Sequence, residues 1–201
     1  MKGVDMLNWA NRITLARMAL IPLFMLCFVP LSPSILGQSE ILQIMNQHGT
    51  TFGVIIFIIA AGTDKLDGYI ARKYNQVTNL GKLLDPLADK LLISVALLVM
   101  VQENMIGSWI AVIIIGREIL ITAIRMVATE QGIALAADQY GKLKMVLQVA
   151  AIIAILLGNY PFHLLTDIRV DMALLWVAAG ITLFSGMNYI RMNYKMLQLG
   201  K

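Results

Sequence analysis

Cysteine occurs once in this chain, histidine twice, and charged residues fill only 14% of its 201 positions. The lone Cys27 excludes an internal disulfide, and its apolar neighbours mark it as a packing residue rather than a nucleophile or metal ligand. His48 and His163 lie in connecting segments with no cysteine or acidic ligand pattern beside them, so both read as ordinary surface or interfacial residues. With 59% hydrophobic residues and a mean hydropathy of +0.76, the scarcity of charge excludes a soluble domain and points to a multi-span membrane protein. No internal repeat, low-complexity linker or cleavable signal peptide is apparent. The first apolar stretch is long, holds Arg12 and Arg17 near its start, and lacks a small-residue cleavage site. The net charge of +4 does not argue for nucleic acid, because the basic residues flank apolar segments. The 13 methionines are scattered through those segments and suggest packing rather than a cofactor site.

Six apolar segments are present, at about 7–29, 52–72, 83–101, 108–128, 143–157 and 172–190. Most can cross about 30 Å of hydrocarbon, and in lipid the backbone must satisfy itself, so they are expected to be helices. The expected architecture is all-α: an integral membrane bundle of six transmembrane helices forming a single domain over 1–201. Lysine and arginine orient it. With the N-terminus cytoplasmic, the inner side holds Lys2, Arg12, Arg72, Lys73, Lys82, Lys142, Lys144, Arg191, Lys195 and Lys201, and the outer connections hold only Arg169. Both termini are therefore expected in the cytoplasm. Trp9 and Trp109 fall near the interfaces. In the outer connection 30–50, Ile41, Leu42, Ile44 and Met45 suit a short helix lying on the membrane.

Against this apolar background stand four carboxylates: Asp64 and Asp67 near the end of the second segment, Asp85 and Asp89 near the start of the third. A charge at membrane depth is costly and marks function by default. Four acids cannot neutralise one another, and hard divalent cations are the natural partners for their oxygens. Spacings of three and four put each pair on one helix face. A short loop makes the two segments antiparallel neighbours, which brings the pairs to matching depth. Gly68, Ala71 and Gly81 lie one turn from these acids. They either let helices approach closely or admit a flat ligand, and Arg72 ends the face as a cation for phosphate.

The whole pattern, Asp64-x-x-Asp67-Gly68-x-x-Ala71-Arg72, eight residues, then Gly81-x-x-x-Asp85-x-x-x-Asp89, resembles the signature of the CDP-alcohol phosphotransferase family. The six-helix reading resembles that family's membrane core, so the likeness covers essentially the whole chain. The resemblance implies two divalent cations, Mg²⁺ or Mn²⁺, held by Asp64, Asp67, Asp85 and Asp89, with Asp89 also the general base toward the acceptor hydroxyl. It implies that Gly68, Ala71 and Gly81 shape the cytidine pocket and that Arg72 stabilises the metal region. It also implies CDP-diacylglycerol as donor, membrane lipids around a homodimer, and an active site facing the cytoplasm.

The acceptor must be read elsewhere. Arg117 lies deep in the fourth segment, beside Glu118 and eight residues before Arg125; Lys142 and Lys144 precede the fifth. Arg117, Arg125, Lys142 and Lys144 can surround an anionic acceptor such as sn-glycerol 3-phosphate. Two structural roles compete: Glu118 and Arg125 share a face and can pair, and the lysines can be positive-inside anchors. This arrangement resembles the branch of the family that uses sn-glycerol 3-phosphate. So does Leu7-Asn8-x-x-Asn11-x-x-Thr14-x-x-Arg17, although Trp9-Ala10 replaces the usual Ile-Pro and Met145 stands where threonine is common. Asn11 and Thr14 lie on a polar stripe suited either to CDP contact or to helix–helix hydrogen bonding. The rival readings are the same chemistry on serine, inositol phosphate or phosphatidylglycerol, an intramembrane prenyltransferase, and a cation transporter. The prenyltransferase normally needs more helices, and the transporter needs no small-residue groove.

Overall fold

A computed structural model describes residues 9–29, 40–73, 79–133 and 141–198. Among them the fold is all-helical: α1 (Trp9–Leu26), α2 (Glu40–Lys73), α3 (Asn79–Gln102), α4 (Ser108–Glu130), α5 (Gly141–Leu156), a 3₁₀ turn at Phe162–Leu164, and α6 (Val170–Gln198). The six apolar segments all became helices. The connection before the second holds the short helix expected around 41–45. It starts at Glu40 and meets the longer helix at a kink at His48, where φ −114° and ψ 17° leave the helical range, so α2 is two helices end to end. α6 also runs eight residues beyond the expected 190, because polar residues such as Asn193 still have partners inside the protein.

The chain forms two compact units, 1–103 and 104–201. In the first, α1 packs on α2 and α3, and α2 touches α3. The buried stripe of α1 is Thr14, Arg17, Ile21 and Phe24, at helical spacing, and Phe28 continues it in the turn that follows. Phe24 stacks at 5.1 Å from Phe28 and 6.0 Å from Phe57, as tilted rings do. Close approach needs glycine here. A Cβ at Gly49 would stand 2.2 Å from the Cys27 carbonyl oxygen, and one at Gly53 would stand 2.5 Å from the Phe28 ring. Cys27 itself only bonds back to the Leu23 carbonyl at 3.4 Å, in keeping with a packing role.

In the second unit, α6 packs against α4 and α5. Its buried stripe is Asp171, Leu175, Ala178, Thr182, Ser185, Tyr189 and Asn193. Gln148 of α5 donates to the Thr182 hydroxyl at 2.9 Å, and that hydroxyl donates to the Ala178 carbonyl. At the other end of the unit, Asn159 accepts from the Asp171 amide and donates to the Ile168 carbonyl, while Arg169 grips the Asp171 carboxylate through two nitrogens. The faces of α6 are inverted relative to a helix in water. Polar groups point inward, and Trp176, Val177, Leu183, Phe184, Met187 and Met192 point outward. Among the described residues one span, Val170–Tyr194, is long and apolar enough to cross a membrane. The run of α4 is interrupted by Arg117, Glu118 and Arg125.

Candidate functional site

The acidic signature falls on two helices that touch. Asp64, Asp67, Gly68, Ala71 and Arg72 lie in the last turns of α2; Gly81, Asp85 and Asp89 lie in the first turns of α3. Helical rise puts Asp64 and Asp67 ~14 and ~9 Å from the end of α2, and Asp85 and Asp89 ~9 and ~15 Å from the start of α3. Helices in contact across a five-residue connection run antiparallel, so the two pairs match in height along the backbone. The side chains of Asp64, Asp67, Gly68, Ala71, Arg72, Gly81 and Asp85 lie outside the described set, as do those of Asn11 and Lys142. Asp89 is half-buried, following the fully buried Ala88. Among the described residues no group of three or more histidine, cysteine or carboxylate side chains gathers as a metal centre.

One contact at this level comes from the polar stripe of α1. Arg17, fully buried on α1, donates from Nε to the hydroxyl of Thr63 at 3.3 Å, and that hydroxyl donates to the Ala60 carbonyl at 2.7 Å. Thr63 immediately precedes Asp64. A guanidinium is thereby anchored one residue from the first acid. The polar stripe of α1 thus serves helix–helix bonding at Arg17, while Thr14 is buried in the same face.

The second unit holds the cations. Glu118 accepts from Arg117 Nη1 at 3.1 Å and also pairs with the ammonium of Lys144. Arg117 and Lys144 are both nearly buried, with 8% and 10% of their side chains exposed. Arg117 Nη2 donates to the Ser185 hydroxyl at 2.6 Å. Its aliphatic stem lies over Gly186, where a Cβ would stand 3.0 Å from Arg117 Cγ. Arg125 donates from Nε to the Tyr189 hydroxyl at 3.2 Å, and its guanidinium carbon lies 5.0 Å from the Tyr189 ring centroid.

One pairing weighed for these residues is thereby corrected. Glu118 pairs with Arg117 and Lys144 rather than with Arg125, since a guanidinium one residue away and an ammonium from α5 are closer than a partner two turns on. The ammonium of Lys144 is turned inward onto Glu118. Arg117 and Lys144 are brought together on the Glu118 carboxylate, and Arg125 is held by Tyr189 of α6. Ser185, Gly186 and Tyr189 escaped sequence reasoning, although Ser-Gly followed one turn later by tyrosine in an apolar helix was a usable signal.

Residues 7–184 match the family described as CDP-alcohol phosphatidyltransferase. The chain belongs to that family. Among its curated relatives, a CDP-diacylglycerol–glycerol-3-phosphate 3-phosphatidyltransferase of Bacillus subtilis (strain 168) is 45% identical over 193 residues, covering 96% of this chain and 98% of the relative. One of the same name from Pseudomonas fluorescens is 36% identical over 96% of this chain and 93% of its own length. Another from Rickettsia felis is 31% identical over 92% and 94%. The family match spans both the acidic helices and the cationic cluster. A CDP-alcohol phosphatidyltransferase must handle a diphosphate donor. Paired carboxylates with divalent cations are one chemically sufficient way to do so.

Proposed function

We propose that this chain transfers the phosphatidyl group of CDP-diacylglycerol to sn-glycerol 3-phosphate, giving phosphatidylglycerophosphate and CMP. The observation that carries this reading is the 45% identity over nearly the full length of both chains to a relative named for that reaction. The chain's own residues support it. Asp64, Asp67, Asp85 and Asp89 would hold two divalent cations, Mg²⁺ or Mn²⁺, which supply charge neutralisation for the diphosphate. Gly68, Ala71 and Gly81, with Asn11 and Thr14, line the CDP pocket, and Arg72 adds a cation to it. Arg117, Arg125, Lys142 and Lys144 take the acceptor phosphate. The acceptor hydroxyl attacks the phosphatidyl phosphorus in line and CMP leaves. Asp89 accepts the hydroxyl proton, so no covalent enzyme intermediate is needed.

The protein works as a single domain of six membrane-spanning helices, both termini and the active site cytoplasmic, and as a homodimer in the lipid. The inverted faces of α6 and the apolar outer faces of α1 and α4 support the membrane setting. The test is CMP release by purified protein with CDP-diacylglycerol and a panel of alcohols. Release is expected with sn-glycerol 3-phosphate, lost on chelation and restored by Mg²⁺ or Mn²⁺. Asp64→Asn and Asp85→Asn should each lower turnover by at least about a hundredfold, as removal of an electrostatic stabiliser does. Release with serine alone would reject the acceptor, and release with none would reject the chemistry.

A further inference from the structure

Arg117 and Arg125 are eight residues apart on α4, ~12 Å along its axis. Their anchors on α6 are Ser185 and Tyr189, only ~6 Å apart. Both contacts advance in the same chain direction, so α4 and α6 lie parallel there. The two long side chains therefore have their anchors one turn apart on the same stretch of α6. An arginine without such anchors would sample many rotamers and lose that entropy on meeting a ligand. Here the Ser185 hydroxyl fixes Arg117 at 2.6 Å, the missing Cβ of Gly186 leaves room for its stem, and Tyr189 fixes Arg125 by both a hydrogen bond and its ring face. Ser185 and Tyr189 are almost wholly buried.

We propose that Ser185, Gly186 and Tyr189 are positioning residues that set Arg117 and Arg125 as a two-guanidinium clamp for a phosphate monoester. In this way α6, rather than the acidic helices, selects a phosphorylated acceptor. The inference rests on the acceptor pocket proposed above and adds the element that organises it. The clamp acts on binding of the acceptor and not on the donor, so the effect belongs in one kinetic parameter.

The experiment measures KM for sn-glycerol 3-phosphate, KM for CDP-diacylglycerol and kcat, with thermal unfolding in detergent as the control for folding. Arg117→Ala serves as the reference. Ser185→Ala should raise the acceptor KM about tenfold, as loss of a hydrogen bond to a charged group does, with kcat and donor KM near wild type. Ser185→Thr, which keeps the hydroxyl, should recover most of the loss. Tyr189→Phe, which keeps the ring, should raise the acceptor KM by a smaller factor. In an Arg117→Ala background, Ser185→Ala should add nothing, because it acts through that arginine. An Arg117→Ala variant with wild-type acceptor KM overturns the pocket itself. A raised KM in Arg117→Ala with additive or absent effects of Ser185→Ala overturns only the clamp. Should Ser185→Ala not fold, the Tyr189→Phe variant decides alone: an unchanged acceptor KM rejects the positioning role.

Discussion

Glu118 shows how much one side chain can carry. Its carboxylate sits between Arg117 and Lys144, both almost closed to solvent. Removing it takes away the carboxylate that these two like charges share, a worse state than never having buried the group. Glu118→Ala is therefore expected to destabilise the folded protein by roughly 3 kcal/mol, read from thermal unfolding in detergent. Glu118→Gln, which keeps an acceptor oxygen for Arg117, should lose less. The charge identities at this cluster were legible in the sequence, because lysine, arginine and glutamate are conspicuous in an apolar chain. Their pairing was not. Spacing along α4 offers Arg125 to Glu118, while the partner that takes part, Lys144, arrives from another helix.

At the level of elements, the helices were readable because apolar length and the need to satisfy the backbone leave few options. The leading arm of α2 was readable as a short helix, but not that it meets the longer helix directly at the His48 kink, since Gln47, His48 and Thr50 lower the hydropathy between them. The acidic motif was readable in full as a spacing, and the structure adds that its two helices touch. What no periodicity reveals is which glycines are contact points. Gly49 is one, with the Cys27 carbonyl so near that any side chain must push against backbone rather than a movable tip. Gly49→Ala should cost on the order of 1–3 kcal/mol by overpacking, whereas Gly62→Ala, where a Cβ meets nothing within 4 Å, should be close to neutral. Paired unfolding curves of the two variants check this.

For the molecule as a whole, the distribution of polarity is the main physical fact. Arg17, Arg117, Lys144 and Asp171 lie inside, and large apolar side chains such as Trp109, Ile119, Trp176 and Met187 lie outside. Such a surface suits an apolar solvent. The single cysteine makes the proposed orientation easy to test. In a Cys27→Ser background, a cysteine at Leu165, which is 85% exposed between α5 and α6, should react with a membrane-impermeant maleimide in intact cells. One at Lys201 should react only after lysis. The opposite labelling pattern would place the termini outside.

Two contacts along α2, one from α1 and one from the turn after it, also act as a clock setting. Phe28 presses on Gly53 near one end, and Arg17 holds Thr63 near the other. Each residue of a helix turns the next by about 100°. With Gly53 and Thr63 both pinned, the azimuth of Asp64 and Asp67 around the α2 axis is no longer adjustable. A single residue inserted between these pins would swing both acids through that angle while the helix remained intact. The azimuth of positions 64 and 67 on the helix is therefore written not in the acidic motif but in a glycine three turns before it and an arginine on a different helix.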